Sequence, residues 1–292
     1  MAQKSVQVGL VQMSMSPDKA ENVEKAAARA REAAERGAEI VCLPELFATP
    51  YFCQTEDAEN FDLAEPVPGP TTEAMADVAR SAKVTLVVPV FERRAPGVYH
   101  NSVLVLNKDG TAAGIYRKMH IPDDPLFYEK FYFAPGDTGF TSFATEGARV
   151  GPLICWDQWY PEAARLTALT GAEILVYPTA IGWHPSEKSE FGAAQLAAWQ
   201  TIQRAHAIAN GVFVVAVNRV GHEGPRDGGL EFWGHSFVCD PFGIVLAEAS
   251  ESEETLVVRC DLGRIEWVRR NWPFLRDRRI DAYAGITSRY LG

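Results

Sequence analysis

Three side chains in this sequence are of the types that a covalent acyl-transfer site requires, and each follows a predicted strand. Cys155 follows an apolar run that ends at Ile154, whereas Glu45 and Lys118 follow two others. A cysteine thiolate attacks carbonyl carbons, a partly desolvated carboxylate accepts its proton, and a lysine together with the Trp156 N–H stabilises an oxyanion. A helix predicted to begin near Cys155 would favour the thiolate. A buried structural cysteine, a loop glutamate and a surface lysine are the alternative interpretations.

The elements that must position these residues alternate along the chain. Alternation of strands and helices, together with hairpins, predicts an α/β fold with mixed sheets covered by helices. The stretch 118–140 has no clear periodicity, and a loop of this length is usually functional. We predict strands over 5–13, 38–43, 84–91, 99–107, 111–117, 150–155, 173–178, 212–217, 234–239, 244–248 and 256–260, and helices over 17–36, 71–81, 161–170 and 191–210.

The sequence contains one internal echo. Residues 37–44 read GAEIVCLP and residues 171–178 read GAEILVYP, with five of eight positions identical. Both segments follow a predicted helix and place a proline at the end of a strand, which predicts a duplicated β-α-β unit and two similar halves. No Pro/Gly/Ser-rich linker separates the halves, so we expect residues 1–292 to form a single domain.

Length and composition indicate a globular protein. The 292 residues are 47% hydrophobic and 23% charged, which excludes a fibre, a disordered chain and a small disulfide scaffold. The net charge of −10 argues against a nucleic-acid partner. Residues 269–279 are basic and aromatic, and we expect them to serve packing or a subunit contact. No apolar stretch is long enough for a membrane span.

The cysteines and histidines give no sign of a disulfide framework or a metal site. The number of cysteines is odd, and no CxxC, HExxH, GxGxxG or P-loop pattern occurs. We therefore expect no metal and no cofactor. The polar residues 1–6 lead directly into a strand, which predicts a cytoplasmic protein without a signal peptide. The cysteines are Cys42, Cys53, Cys155, Cys239 and Cys260. Cys53 lies in a predicted loop and is a candidate for the lining of a pocket.

Three segments, 43–47, 116–122 and 154–157, resemble the nitrilase, or carbon–nitrogen hydrolase, superfamily. They occur in the order of that family, and the resemblance covers nearly the whole chain. It implies that Glu45 is the general base, Lys118 the oxyanion stabiliser and Cys155 the nucleophile. Glu129 matches a second family glutamate that supports the lysine and the cysteine.

The resemblance also implies an architecture. It predicts a four-layer α-β-β-α sandwich of two mixed sheets with pseudo-twofold halves, as the internal echo suggests independently. Members of the superfamily usually form dimers or larger homo-oligomers, and residues 263–292 match the C-terminal tail that commonly contributes to those contacts.

Within the superfamily, five further segments are similar to the N-carbamoylputrescine amidases. Relatives that cleave N-carbamoyl amino acids carry an arginine shortly after the nucleophile to bind a carboxylate, whereas this chain has Gln158 and Trp159 there. Absence of that cation in an acidic chain favours a cationic small-molecule substrate. The similar segments are 50–54, 132–140, 155–165, 177–182 and 274–279.

One departure from that subfamily concerns the substrate amine. Many members have Ser-Glu after an Ile-Gly pair, and that glutamate is a candidate amine anchor. Here Trp183 and His184 replace it, and Glu187 follows slightly later. We expect Tyr51, Trp156, His184 and Glu187 to contact the substrate, with Glu187 as the displaced anchor.

The expected activity is hydrolysis of N-carbamoylputrescine to putrescine, ammonia and carbon dioxide, a step of polyamine synthesis. Another amidase of the superfamily, acting on ω-amides or N-carbamoyl-β-alanine, is the enzymatic alternative. A sandwich retained only as a binding or assembly module is the non-enzymatic one. Segments 183–190 and 219–232 are expected to decide the substrate.

Overall fold

A computed structural model describes residues 5–225 and 228–292 of the chain. Residues 1–4, on which part of the N-terminal interpretation depends, and residues 226–227 of the 219–232 segment lie outside the described residues. The strands are β1 Ser5–Gln12, β2 Ile40–Cys42, β3 Thr85–Ala95, β4 Val98–Leu106, β5 Ala112–Arg117, β6 Phe143–Ala144, β7 Arg149–Pro152, β8 Ile174–Pro178, β9 Gly182–Trp183, β10 Phe213–Val217, β11 Val220–Glu223, β12 Leu230–Trp233, β13 Phe237–Cys239, β14 Val245–Glu248 and β15 Glu254–Asp261. The α-helices are α1 Lys19–Glu35, α2 Pro70–Ala82, α3 Glu129–Tyr132, α4 Pro161–Leu169, α5 Lys188–Asn210 and α6 Gly263–Asn271.

The strands form two large mixed sheets and one small sheet. The first large sheet has the order β15-β1-β2-β3-β4-β5, and the second has the order β14-β13-β10-β8-β7-β6. Three neighbouring strands are parallel in each large sheet: β1, β2 and β3 in the first, and β7, β8 and β10 in the second. The strands next to these three pair with them in the antiparallel direction. The small sheet has the order β11-β12-β9. Two of its paired strands, β11 and β12, come from the 219–232 segment that is expected to decide the substrate.

The layers follow from alternation of side chains along the strands. In β2 and the residue after it, Ile40 and Cys42 join a core shared with the second sheet, whereas Val41 and Leu43 face α1 and α2. Helices α4 and α5 pack on β8 and β10 of the second sheet. The result is helix, sheet, sheet, helix, which confirms the predicted four-layer sandwich.

The internal echo corresponds to equivalent strands of the two sheets. β2 lies between its parallel neighbours β1 and β3, and β8 lies in the same way between β7 and β10. The glycines that end α1 and α4 have nearly the same left-handed φ, +95° at Gly37 and +96° at Gly171. Only glycine adopts this conformation without steric cost, so the shared Gly-Ala-Glu start reflects a shared turn.

Two local predictions are wrong in detail. Pro17 is not the first helical residue, because Asp18 caps α1 by accepting hydrogen bonds from the N–H groups of Ala20 and Glu21. β7 ends at Pro152 rather than at residue 155. Proline is tolerated there because β6, the neighbour on its other side, pairs only with the first two residues of β7.

None of the helices in the described parts of the chain is long and apolar enough to cross a membrane.

Candidate active site

The three residues singled out by type lie just beyond the ends of strands in both large sheets. Glu45 follows β2 and Lys118 directly follows β5, and these two strands run in the same direction within the first sheet. Cys155 follows β7 of the second sheet. Because the two sheets pack face to face, these strand ends converge between them.

Lys118 holds two carboxylates. Its Nζ donates hydrogen bonds to Glu45 Oε1 at 2.8 Å and to Glu129 Oε2 at 2.6 Å. All three side chains are completely buried. Asn101 Nδ2 donates to Glu45 Oε1 at 2.7 Å, and the Tyr51 hydroxyl donates to Glu129 Oε1 at 2.6 Å. Glu45 Oε2 is left without a hydrogen-bond donor among the described residues.

The electrostatics of this group leave the lysine charged. Burial lowers the pKa of Lys118, but Glu129 and Glu45 raise it by more, so it stands well above its ordinary value. Burial, with a contribution from Glu45, raises the pKa of Glu129 to about 7, although Lys118 opposes the shift. A buried ammonium beside the candidate nucleophile is suited to stabilise a developing oxyanion.

Cys155 has the environment of a neutral thiol. Burial raises the pKa of Cys155, Glu45 and Glu129 add to the shift, and Lys118 opposes it. Its Sγ lies 3.8 Å from the carbonyl oxygen of Ala180. The expectation that a helix start favours the thiolate is therefore wrong, because the segment after β7 is a five-residue 3-10 helix, Cys155–Trp159, and desolvation prevails.

The backbone at Cys155 is strained. Its φ is +41°, in a region that non-glycine residues rarely occupy. Leu46, which follows the candidate base, also has a positive φ of +49°. Such strain persists only where surrounding contacts fix it, and it is concentrated at functional sites.

Asp157 connects the lysine segment to the cysteine loop. Its Oδ2 accepts hydrogen bonds from the Ile154 N–H at 2.9 Å and the Tyr116 hydroxyl at 2.8 Å. Its Oδ1 accepts from the His120 N–H at 3.0 Å and lies 2.7 Å from His120 Nδ1. This completely buried carboxylate therefore forms hydrogen bonds to Tyr116 and His120, which flank Lys118, and to Ile154, which precedes the cysteine.

Arg219 fixes the strained backbone after Glu45. It is completely buried, and its Nη2 donates to the carbonyl oxygens of Glu45 at 2.6 Å and Leu46 at 3.0 Å. Its Nη1 donates to Glu223 Oε1 at 2.8 Å, and Glu223 Oε2 in turn accepts from the Tyr51 N–H. Sequence reasoning missed Arg219 and Asp157; the position of Arg219 just beyond β10, at a strand end, was the available signal.

A cavity of about 350 Å³ opens beside Cys155. This lies within the volume range of small-molecule sites. Its lining is mostly aromatic and aliphatic, and among the described residues it includes the carboxylates Asp124 and Glu187 but no lysine or arginine. Asp124 was not predicted individually, although it lies in the 118–140 stretch that was expected to be functional.

The predicted substrate-contact residues fall into two groups. Trp156, His184 and Glu187 line the cavity together with the cysteine. Tyr51 is buried and does not line it, because its hydroxyl is directed to Glu129. Cys53, whose position sequence reasoning left open, is also fully buried away from the cavity lining.

Of the two positions where acid-binding relatives carry arginine, one faces the cavity. Trp159 lines it. Gln158 is buried behind it, where its Oε1 accepts hydrogen bonds from Thr179 Oγ1 at 3.1 Å and Trp199 Nε1 at 2.9 Å. Neither position supplies a cation to the cavity.

The described residues contain no group of three or more His, Cys, Asp or Glu side chains arranged to hold a metal ion. The arrangement is that of a hydrolytic site with a thiol, an ammonium and two carboxylates. The sequence profile of the carbon–nitrogen hydrolases matches residues 7–270, and the chain belongs to this family of enzymes.

Particular members of the family are similar over nearly full length. An N-carbamoylputrescine amidase of Solanum lycopersicum is 44% identical, over 97% of this chain and 96% of the relative. A citrullinase of Francisella tularensis is 38% identical, over 98% and 99%. The crystal structure of a carbon–nitrogen hydrolase from Helicobacter pylori has a TM-score of 0.95 at 47% identity, with 98% of this chain and 100% of that chain covered.

Proposed function

We propose that this chain hydrolyses N-carbamoylputrescine to putrescine, ammonia and carbon dioxide. The observation that carries the proposal is the cavity at Cys155, which presents two carboxylates and, among the described residues, no lysine or arginine. Such a lining favours a ureido compound with a distal ammonium over one with a distal carboxylate. Similarity to amidases named for this substrate supports the same choice.

In the first half of the proposed reaction, Glu45 accepts the thiol proton of Cys155 through its unpartnered Oε2. The sulfur then forms a bond with the ureido carbon, and Lys118 and the Trp156 N–H stabilise the oxyanion. Glu45 returns the proton to the departing ammonia, which leaves a carbamoyl thioester. Glu129 holds Lys118 in position through the 2.6 Å hydrogen bond.

In the second half, water replaces ammonia. Glu45 takes a proton from water as the oxygen attacks the thioester carbon, and the same cation and N–H stabilise the second oxyanion. Collapse breaks the carbon–sulfur bond, and Glu45 passes the proton taken from water to the departing sulfur, which restores the thiol. The carbamic acid of putrescine is released and decomposes in solution to putrescine and carbon dioxide. Each step uses side-chain and main-chain groups of this chain together with water.

The test compares ammonia release from N-carbamoylputrescine, N-carbamoyl-β-alanine and a simple ω-amide. We expect the cationic substrate to be preferred and the activity to be lost in Cys155→Ala. The matched control is Cys53→Ala, which removes a buried thiol outside the cavity lining and should retain activity. Preference for the acid or for the ω-amide would reject the proposed substrate while leaving the chemistry intact. Activity unchanged in Cys155→Ala would reject the mechanism.

We further propose that the chain acts in the cytoplasm as a single-domain homo-oligomer whose residues 263–292 make subunit contacts. Five free cysteines suit a reducing compartment. The tail exposes several large apolar side chains, among them Trp272, Ile280 and Ile286. Light scattering of Ile286→Asp against the wild type tests the contact, and an unchanged mass would reject it.

A further inference from the structure

One end of the cavity is lined by side chains that accept hydrogen bonds. Asp124 and Glu187 line it and are exposed, so they lie towards its mouth. Asp124 comes from the segment between β5 and α3, and Glu187 immediately precedes α5. Carboxylates from two separate segments therefore line one opening, whose lining does not include the buried Lys118, Glu45 and Glu129.

Gln195 supplies a buried acceptor beside them. It lines the same cavity from α5, and its Nε2 donates to Glu187 Oε2 at 3.2 Å. This hydrogen bond orients the amide and leaves Oε1 inaccessible to solvent and without a donor among the described residues. A buried acceptor without a donor is unfavourable, so the site is set for a ligand that donates.

The lysine that follows Glu187 in sequence is paired elsewhere. Lys188 follows Glu187, but its Nζ donates a hydrogen bond to Glu231 Oε1 at 2.6 Å and lies 4.3 Å from the centre of the Trp183 ring. His184 also lines the cavity, and its Nδ1 lies 2.5 Å from Ser186 Oγ. Among the described residues, neither Asp124 nor Glu187 forms a salt bridge with Lys188 or His184.

A second unpartnered group faces the same cavity. Trp233 is 2% exposed and lines it, and its indole N–H has no acceptor among the described residues. Trp159 also lines the cavity, and its indole N–H likewise has no acceptor among the described residues. Indole N–H groups donate only, so they suit a ureido oxygen, whereas their ring faces attract a cation.

We propose that Gln195 Oε1, Glu187 and Asp124 form a subsite that binds the distal primary ammonium group of the substrate. An ammonium has three N–H donors, and these three side chains offer an amide oxygen and two carboxylates. The inference rests on the proposed function and extends it: the substrate class is an N-alkylurea with a terminal primary ammonium. It also moves the amine anchor away from position 184, where this chain has histidine.

The experiment uses two substrates that differ only at the distal end. N-carbamoylputrescine carries the ammonium, and N-pentylurea has a methyl group in its place. The variants are Gln195→Met, Glu187→Gln and Asp124→Asn. The matched control is Gln200→Met, on the same helix, whose amide donates to Glu248 Oε1 outside the cavity.

We expect each subsite variant to raise KM for N-carbamoylputrescine on the order of tenfold, because a hydrogen bond to a charged group is lost. The kcat for this substrate and both constants for N-pentylurea should stay at wild-type values, which also reports correct folding. Gln200→Met should leave kcat and KM unchanged for both substrates. Equal losses on both substrates, or no discrimination between them by the wild type, would overturn the subsite.

Calorimetric titration with putrescine separates failure of the subsite from failure of the proposed function. If neither substrate is hydrolysed, the proposed function fails, and the subsite is judged by putrescine binding alone. Binding that is about tenfold weaker in Gln195→Met than in the wild type supports the subsite. Equal binding by the two proteins overturns it.

Discussion

Replacing Asp157 by asparagine tests whether one carboxylate sets the relation between the lysine segment and the cysteine loop. The wild-type carboxylate accepts hydrogen bonds from four groups. These are the main-chain N–H groups of Ile154 and His120, the Tyr116 hydroxyl and the His120 ring. Asparagine is nearly isosteric, but it has one accepting oxygen and an NH₂ group that donates.

The magnitude follows from counting donors. The Tyr116 hydroxyl or the His120 ring can accept from the new NH₂ group after a rotation or a tautomer change, but a main-chain N–H cannot. One main-chain N–H, of Ile154 or of His120, therefore loses its acceptor, at a cost of about 1–3 kcal/mol, and the remaining hydrogen bonds lose the strengthening due to charge. We expect the free energy of unfolding to fall by about 2–4 kcal/mol.

Activity should fall as well, because Ile154 precedes the candidate nucleophile. A displacement of about 1 Å at a reacting group costs on the order of a hundredfold in rate, so we expect kcat to fall about 10- to 100-fold. KM should change little, since Asp157 does not line the cavity. The alkylation rate of Cys155 by iodoacetamide should change in parallel with kcat.

Urea unfolding, ammonia release and alkylation are measured on Asp157→Asn and on Tyr116→Phe. The phenylalanine variant keeps the carboxylate and both main-chain donors, so it should lose only about 1 kcal/mol and most of its kcat should remain. Wild-type kcat and alkylation in Asp157→Asn would refute the positioning role, even if the protein were less stable.

Three further outcomes follow from the buried charges. Lys118→Met leaves two carboxylates without their cation, and we expect stability to fall by about 3–5 kcal/mol and turnover at least about a hundredfold, measured by urea unfolding and ammonia release. Arg219→Met leaves Glu223 unpaired, and a similar loss of about 3–5 kcal/mol should be partly recovered in the double variant with Glu223→Leu; no recovery would contradict the ion pair. Glu129 has a pKa raised to about 7, so its contribution to stability is full below about pH 4.5 and is lost as pH rises through 7. Urea unfolding from pH 4.5 to 7.5 should show that decline in the wild type and a flatter profile in Glu129→Gln.

The fold and the location of the candidate catalytic residues were predictable because their signals are local. The echo at 37–44 and 171–178 marks two equivalent strands with a left-handed glycine before each. Polar residues after buried strands are placed at one edge when the strands run in the same direction, and this brought Glu45 and Lys118 together. The pairing of Lys118 with Glu129 came from the family resemblance, since the 118–140 stretch has no periodicity from which to infer it.

The contacts that hold the site in position were not predictable in this way. Arg219 donates to the carbonyl oxygen of Glu45 from 174 residues away, and no periodic pattern marks such a pair. Asp157 forms a hydrogen bond to the Tyr116 hydroxyl from 41 residues away. In sequence, both read as ordinary polar residues beside a turn, and Asp124 reads as an exposed loop residue. Their roles follow from which strand ends face each other across the two sheets.

The protonation of Cys155 shows why the local signal was misleading there. Position at the start of a helix favours a thiolate when solvent or cations compensate the charge, but here a short 3-10 helix offers little dipole and the thiol is buried beside two glutamates. A resting thiolate next to Glu45 would place like charges together in a desolvated site. The same carboxylate that disfavours the thiolate is suited to take its proton, because one of its oxygens has no donor among the described residues. In the proposed mechanism, deprotonation is therefore coupled to attack, and Lys118 stabilises the negative charge as it passes from the thiol to the substrate oxygen.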